Sequence, residues 1–332
     1  MIDLTIVWAF IIAFAVAMYV VMDGFDLGIG LLFPRLPVGK ERDLAMNSIA
    51  PVWDGNETWL VLGGGGLLAA FPLAYAIVLP ALYAPLTAML LGLVFRGVAF
   101  EFRWRDSGHR KIWDSGFFLG SLVATFAQGI TLGALLQGIR VEGRAYAGGW
   151  WDWLTPFSLL TGASLVIGYA LLGAGWLIWK TGGPVQARAR RHARTLAPAL
   201  LAAIGAVSLA TPTLELQYAE RWFDFPGLLV TVPMPLLVGA AALGLWLSLK
   251  GRRDWLPFAL TLVLFLLSMA GLAVSVWPDV IPGRVTIWQA AAPYSSQLFM
   301  LVGAAVLVPM ILAYTFWAYW VFRGKVDEEG YH

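Results

Sequence analysis

Cysteine is absent from this sequence, histidine is rare, and charged residues are few. There are three histidines in 332 residues, and Asp, Glu, Lys and Arg together make up 13%. The lack of cysteine excludes disulfide bonds and metal sites built on thiolates. Charged residues make up about 25% of an ordinary soluble domain, whereas 60% of this chain is hydrophobic. The composition therefore indicates a membrane protein that crosses the bilayer several times.

The three histidines, His109, His192 and His332, are all predicted to lie in loops or in the tail, outside the apolar segments. A haem within a bilayer usually takes a histidine as an axial ligand, with methionine, cysteine or tyrosine as other choices. Methionines do occur in the apolar segments, but scattered methionines are typical of packing. We therefore expect this chain alone to bind no haem and no metal and to hold no catalytic residue. Any redox chemistry would belong to a partner.

Nine apolar segments are candidates for crossing a membrane, which takes roughly 20 mostly apolar residues. They lie at residues 4–33, 55–72, 76–100, 114–138, 157–179, 195–214, 227–249, 255–277 and 297–322. The second is the weakest, and its run of four glycines also fits a re-entrant or half-spanning segment, which would leave eight spans. The sequence predicts an all-α polytopic fold with about nine transmembrane helices, in a single membrane domain over residues 1–332.

The positions of the basic residues favour nine spans and fix an orientation. Of the 22 Lys and Arg residues, 17 lie in the loops and tail on one side of the nine-span arrangement, 4 lie on the other side, and Arg96 lies inside the third segment. Cytoplasmic loops carry the excess of positive charge in membrane proteins. The pattern predicts an N-terminus outside and a C-terminus in the cytoplasm, and removing one span would break it.

Two aspartates, Asp23 and Asp26, lie near the end of the first apolar segment, in YVVMDGFDLGIGLLF. Their spacing of three residues places them on one face of a helix. Ionisable groups within a bilayer are costly and usually functional. The alternative is a position at the membrane surface in contact with water, where the cost is lower. Gly24, Gly28 and Gly30 lie among them and indicate close helix packing.

A second polar stretch, NSIAPVWDGNETWL, leads into the second apolar segment and contains Asp54, Asn56 and Glu57. Asp54 followed three residues later by Glu57 resembles a helix capping box. Capping accounts for one carboxylate but not for so dense a polar set at a membrane boundary. Carboxylates in a row near a membrane are typical of proton relays.

The third stretch, FRGVAFEFRWR, contains Arg96 and Glu101, which we predict to take part in structural ion pairing. Two alternatives are open for Arg96. Its guanidinium could extend to the membrane surface along the apolar part of the side chain. It could instead form a buried pair with an aspartate.

Together, MDGFDLGIG, NSIAPVWDGNETWLV and FRGVAFEFR resemble subunit II of the cytochrome bd quinol oxidases, and in particular their shorter, cyanide-insensitive branch. The resemblance implies two four-helix bundles plus one peripheral helix. We place the first bundle at about 1–138, and the second bundle with the peripheral helix at about 157–322. It also implies a location in the bacterial cytoplasmic (inner) membrane.

The resemblance further implies a heterodimer with a haem-bearing subunit I, often accompanied by a small single-helix subunit. In this family, subunit I carries two b haems and haem d, oxidises quinol on the outer face and reduces oxygen to water. Subunit II carries none of these haems, and in some members it holds a structural quinone. The expected function is therefore that of the haem-free subunit II of a ubiquinol oxidase in an aerobic respiratory chain.

The resemblance also suggests roles for individual residues. Asp54 is the best candidate for a cytoplasmic proton conduit, with Asp26, Asp23 and Glu57 as further members. Trp59 resembles a residue near a proposed oxygen path.

Two other functions stay open at this stage. A cation- or proton-coupled secondary transporter would use the same aspartates, although the glycine-rich segment has no evident counterpart in the second half, as inverted repeats would provide. A scaffold subunit would use the aspartates only for packing against its partner.

Overall fold

The computed structural model describes residues 3–225 and 227–326, without the side chains of Leu216 and Val230; His332 therefore lies outside the described residues. Helices dominate the fold. They are α1 (Leu4–Leu32), α2 (Lys40–Asn47), α3 (Trp53–Ala70), α4 (Pro72–Ala81), α5 (Tyr83–Arg105), α6 (Arg110–Leu136), α7 (Pro156–Lys180), α8 (Gly183–Ala210), α9 (Leu216–Phe223), α10 (Leu228–Thr231), α11 (Pro233–Ser248), α12 (Leu256–Val276), α13 (Ile287–Ala290) and α14 (Tyr294–Val321).

Two short antiparallel hairpins lie in the loops between helices. Strand β1 (Val141–Glu142) pairs with β2 (Ala145–Tyr146), and β3 (Asp279–Ile281) pairs with β4 (Val285–Thr286). Both occur at the ends of membrane-crossing helices, so the all-α class predicted from the sequence is confirmed.

Among the described residues, seven helices are long and apolar enough to cross a membrane: α1, α5, α6, α7, α8, α12 and α14. The pair α3 and α4 raises the number to eight if it is a single span, although the two helices are bent by 120°. Helix α11 is apolar but shorter, at 16 residues. The predicted count of nine is therefore not confirmed.

The predicted third segment, 76–100, does not form one helix. The chain leaves α4 at Ala81 and begins α5 at Tyr83. Pro72 lies in the first turn of α4, where its missing N–H costs nothing, and Pro80 and Pro85 flank the second break. Helix α4 packs against β2 and α13 instead of continuing either neighbouring span.

Helix α8 also differs from its predicted bounds, because it begins at Gly183 and not near residue 195. Its first turns carry four arginines, which lower the hydropathy but are compatible with a helix that extends beyond the membrane. His192 therefore lies on a helix that continues into a span, and its predicted position in a loop is wrong.

The centre of the molecule is the crossing of α1 and α7. A Cβ atom added at Gly28 would lie 1.9 Å from the carbonyl oxygen of Tyr169, so the two backbones are in direct contact. Close to this crossing, Phe25 stacks on Trp176 with ring centroids 4.1 Å apart. Helices α3 and α6 pack on α1, and α8 and α12 pack on α7. Helix α14 lies outside, against α1 and α3.

The basic loops predicted to share one side of the membrane meet at one end of the helices, which we call the basic end (33–52, 106–109, 181–182, 249–255 and 322–326). Arg188 pairs with Glu41 there, and Asp254 pairs with both Arg190 and Lys325. At the opposite end, Trp288 donates to Asp3 and Ala292 donates to Ala70. That the basic end faces the cytoplasm remains a prediction.

Candidate functional site

Helix α1 carries Asp23 and Asp26 into the interior, where neither side chain has any exposed surface. Every residue from 23 to 33 is buried, because α6, α7 and α3 surround this part of the helix. At 1.5 Å per residue, Asp23 lies about 14 Å from Leu32, the last residue of α1. The structure therefore places both aspartates well inside the protein and not at the membrane surface.

Arg96 on α5 is the only base of this cluster among the described residues. Its Nη1 donates to Asp23 Oδ1 at 3.0 Å and to Glu57 Oε1 at 2.7 Å. The residue is 1% exposed, and its guanidinium lies over the ring of Trp53. Of the two alternatives for Arg96, the structure shows the buried pair. Glu101 is exposed, and the described part of the chain shows no ion pair for it.

Asn56 on α3 joins the cluster to the peripheral helix. Its Nδ2 donates to Asp26 Oδ2 at 2.6 Å and to the carbonyl of Met22 at 3.2 Å. Its Oδ1 accepts a hydrogen bond from the hydroxyl of Tyr319 on α14 at 3.1 Å. Neither residue is in the set predicted as site residues. Asn56 lies in a stretch already noted as polar, whereas nothing in the surrounding aromatic sequence distinguishes Tyr319.

The predicted residues on α3 occupy different positions. Asp54, in the first turn, is exposed, and Glu57 is partly exposed, with 26% of its side-chain surface accessible. Glu57 is therefore the member at which the buried cluster reaches the surface of this chain. Trp59 is 0% exposed and packs edge-on against Phe14 at 5.7 Å.

A separate ion-pair network lies closer to the basic end. Arg103, which is 1% exposed, pairs with Asp114 at 2.5 Å and with Asp43 at 2.7 Å, and Arg42 pairs with Asp114 at 2.6 Å. These contacts tie α2 to the ends of α5 and α6. The sequence identifies these residues only as loop charges, since nothing in it indicates which partners meet.

Neither histidine among the described residues belongs to the buried cluster. His109 is exposed and hydrogen-bonded to Asp106, and this bond holds the pKa of Asp106 below its usual value. His192 lies close to Arg188 and Arg191. A cavity of about 10 Å³ lies at the basic end and one of about 380 Å³ at the opposite end, and neither of these two is lined by histidine or methionine. The described ranges contain no group of three or more His, Asp or Glu residues able to hold a metal.

The chain resembles one group of known proteins along almost its whole length. The model of the family described as cytochrome bd terminal oxidase subunit II matches residues 4–322. The cytochrome bd-I ubiquinol oxidase subunit 2 of Escherichia coli (strain K12) is 31% identical over 368 aligned residues, which cover 98% of this chain and 96% of the relative. The cytochrome bd ubiquinol oxidase subunit 2 of Bacillus subtilis (strain 168) is 28% identical over 335 aligned residues, which cover 97% of this chain and 96% of that relative.

Among solved structures, the bd oxidase from Geobacillus thermodenitrificans matches with a TM-score of 0.74 at 16% identity, covering 98% of this chain and 100% of that chain. At this identity the match shows the fold. The resemblance inferred from the three motifs is confirmed, and the transporter alternative is set aside. The chain belongs to the family of cytochrome bd terminal oxidase subunit II.

Proposed function

We propose that this chain is the haem-free subunit II of a ubiquinol oxidase in a bacterial cytoplasmic membrane, and that it conducts protons from the basic end towards a haem-bearing subunit I. The observation that carries the conduit is the charge balance of the buried cluster. Three acids stand against one base: among the described residues, Arg96 bonds to Asp23 and Glu57, whereas Asp26 accepts only from the amide of Asn56. Uncompensated buried charge is costly, so a cluster with more acids than bases favours holding exchangeable protons.

The two b haems and the haem d of subunit I would supply the electron transfer and the oxygen chemistry of the complex. This chain has the simpler task of passing protons from the inside while quinol oxidation releases protons outside. That difference builds a proton-motive force without a pump. The family match and the names of the relatives support this assignment.

The structure suggests an order for the conduit. Asp26 lies nearer the basic end than Asp23, because α1 runs from the outer end to the basic end. Arg96 holds Asp23 and Glu57 together, and Glu57 is partly exposed on α3. Asp54 precedes Glu57 by one turn on the same helix. Protons would move from Asp26 to Asp23, then to Glu57, and leave this chain at the surface near Glu57 and Asp54.

The partner would cover the exposed face of α3. Asp54, Thr58, Val61, Gly65 and Leu68 follow the helical repeat along this face, and all are exposed. Lipid chains can cover the apolar members but not a carboxylate. We therefore assign this face to subunit I, which would receive the protons directly. Trp59, buried behind the same helix next to the membrane-exposed Phe14, keeps its proposed place beside an oxygen path.

The assignment is tested first by co-purification. The tagged chain is isolated in mild detergent from cells that express all the subunits, and reduced-minus-oxidised spectra are recorded. Haem b and haem d bands, together with a second large subunit, are expected. A colourless preparation would refute the assignment. Mass spectrometry and lipid extraction of the same sample test for a small single-helix subunit and a structural quinone.

The conduit is tested with Asp26→Asn and Glu57→Gln, and with Asp106→Asn as the control, since Asp106 is a partly exposed aspartate outside the cluster. Oxygen consumption and proton uptake are compared in liposomes at equal haem content. Loss of a proton-transfer group is expected to slow turnover about tenfold or more, with the control unchanged. Full activity in both cluster variants would leave only the scaffold role.

A further inference from the structure

A small cavity at the basic end lies under the segment that follows α14. Its volume is about 10 Å³, and its lining includes Asn47, Ser48, Lys180, Tyr319 and Val326. A cavity of this size holds about one water molecule, provided that two to four polar groups surround it.

The polar groups around the cavity match the needs of one water. The Nζ of Lys180 donates to the carbonyls of Phe322 at 2.6 Å and Gly324 at 3.3 Å, which leaves one of its three N–H donors free. The Oδ1 of Asn47 is buried and has no hydrogen-bond partner among the described residues. A water in the cavity can accept from Lys180 and donate to Asn47 and to the hydroxyl of Tyr319.

The hydroxyl of Tyr319 connects this cavity to the buried cluster. It donates to Asn56 Oδ1 at 3.1 Å, and Asn56 Nδ2 donates to Asp26 Oδ2 at 2.6 Å. The carboxamide of Asn56 lies between the hydroxyl and the carboxylate, so a proton has to pass through it. When Tyr319 accepts a proton from the cavity water, its own proton goes to Asn56 Oδ1 and an Nδ2 proton of Asn56 goes to Asp26, which leaves Asn56 as the imidic acid. A half-turn of the carboxamide and a second transfer restore the amide, and each transfer delivers one proton to Asp26.

The segment 322–326 closes the cavity from outside. Besides the two bonds from Lys180, the N–H of Val326 donates to the carbonyl of Lys180 at 2.8 Å. Lys325 further pairs with Asp254 at 2.7 Å. Segment 322–326 is therefore held both by its carbonyl groups and by its last two residues.

We infer that the conduit takes up its protons through this cavity, beneath segment 322–326, and that the Tyr319 hydroxyl passes them through the carboxamide of Asn56 to Asp26. This inference rests on the proposed function, since it adds the uptake end to the proposed conduit. Lys180 is a positioning residue that holds the segment over the cavity. Asp54 then belongs to the surface facing the partner and not to the uptake end.

The experiment compares Tyr319→Phe with Tyr314→Phe in the purified complex. Tyr314 is a matched control because it lies on the same helix and is exposed. Tyr319→Phe is expected to slow oxygen consumption and proton uptake about fivefold or more, to raise the solvent deuterium isotope effect, and to leave the KM for quinol unchanged. A purely structural defect would not raise the isotope effect.

Asp26→Asn is measured in parallel, so that the two proposals fail in different ways. If Asp26→Asn is slow and Tyr319→Phe has wild-type rates, the uptake route is overturned while the conduit stands. If neither variant is slow, both are overturned. Slow turnover in both variants, with Tyr314→Phe unaffected, supports the route.

A second measurement does not depend on the folding of Tyr319→Phe. The chain has no cysteine, so Val326→Cys introduces a single thiol into it at the edge of the cavity. Modification with a bulky, water-soluble maleimide is expected to lower proton uptake several-fold. Lys111→Cys, exposed in the first turn of α6, and the unsubstituted complex treated with the same reagent should be unaffected. Equal uptake in all three would overturn the proposed route.

Discussion

Gly28→Ala is expected to disrupt the crossing of α1 and α7 more than any surface substitution. The new Cβ would lie 1.9 Å from the carbonyl oxygen of Tyr169 and 2.8 Å from the backbone nitrogen of Gly173, whereas ordinary contacts begin at 3.4 Å. The two helices would have to separate locally by about 1.5 Å. Overpacking typically costs about 1–3 kcal/mol. Because the obstacle is backbone and cannot rotate away, we expect a loss of about 3 kcal/mol.

The matched control is Gly205→Ala, since a Cβ at Gly205, in α8, meets nothing within 4 Å. Both substitutions place alanine inside a helix, which by itself favours the helix by about 1 kcal/mol. Thermal unfolding of the purified complex, followed by tryptophan fluorescence and by haem absorbance, gives the comparison. We expect a clearly lower midpoint for Gly28→Ala only. Equal midpoints would refute the close approach of the two backbones.

Two further predictions concern charged groups. Arg96→Met should cost about 3–5 kcal/mol because it leaves buried carboxylates without their base, and adding Asp23→Asn should restore part of the thermal midpoint. Burial alone would raise the pKa of Asp254, but hydrogen bonds from Lys325 and Gln186 and the charge of Lys325 hold it below its usual value. Because the pKa of Asp254 is lower in the folded state, its pairing with Lys325 stabilises segment 322–326 fully above the unfolded pKa of about 3.9. This stabilisation is lost as the pH falls through the lower folded pKa. Hydrogen exchange of that segment, corrected for intrinsic rates, should therefore stay constant from about pH 7 to 5 and rise only below about pH 4. In the Asp254→Asn variant, hydrogen exchange of segment 322–326 should be fast over the whole pH range.

The sequence predicts those parts of the molecule that follow from local pattern. Long apolar runs identify most of the membrane helices, and the spacing of Asp23 and Asp26 places both on one face. Arg96 inside an apolar segment indicates a buried pair, although two alternatives remain until its partners are known. The close packing expected of the glycines holds at Gly28, where α7 is in direct contact.

The remaining features depend on contacts between distant residues or on polar helix ends. Asn56 and Tyr319 are 263 residues apart, so no local pattern relates them. Helix α8 begins earlier than hydropathy suggests, because arginines are good helix formers that lower the mean hydropathy. The bend between α3 and α4 depends on packing against β2 and α13. Hydropathy does not reveal that packing.

The position of Tyr319 on α14, which follows the other helices of the cluster in the chain, has a consequence for biosynthesis. A membrane protein is inserted from its N-terminus onwards, so α1, α3 and α5 are in place before α14 is synthesised. Asn56 can bind Asp26 early, but its carbonyl gains the Tyr319 hydroxyl only when the last helix arrives. Segment 322–326 follows later still. The cluster is therefore completed only after α14 has been synthesised, and a chain truncated before α14 would expose its acidic interior.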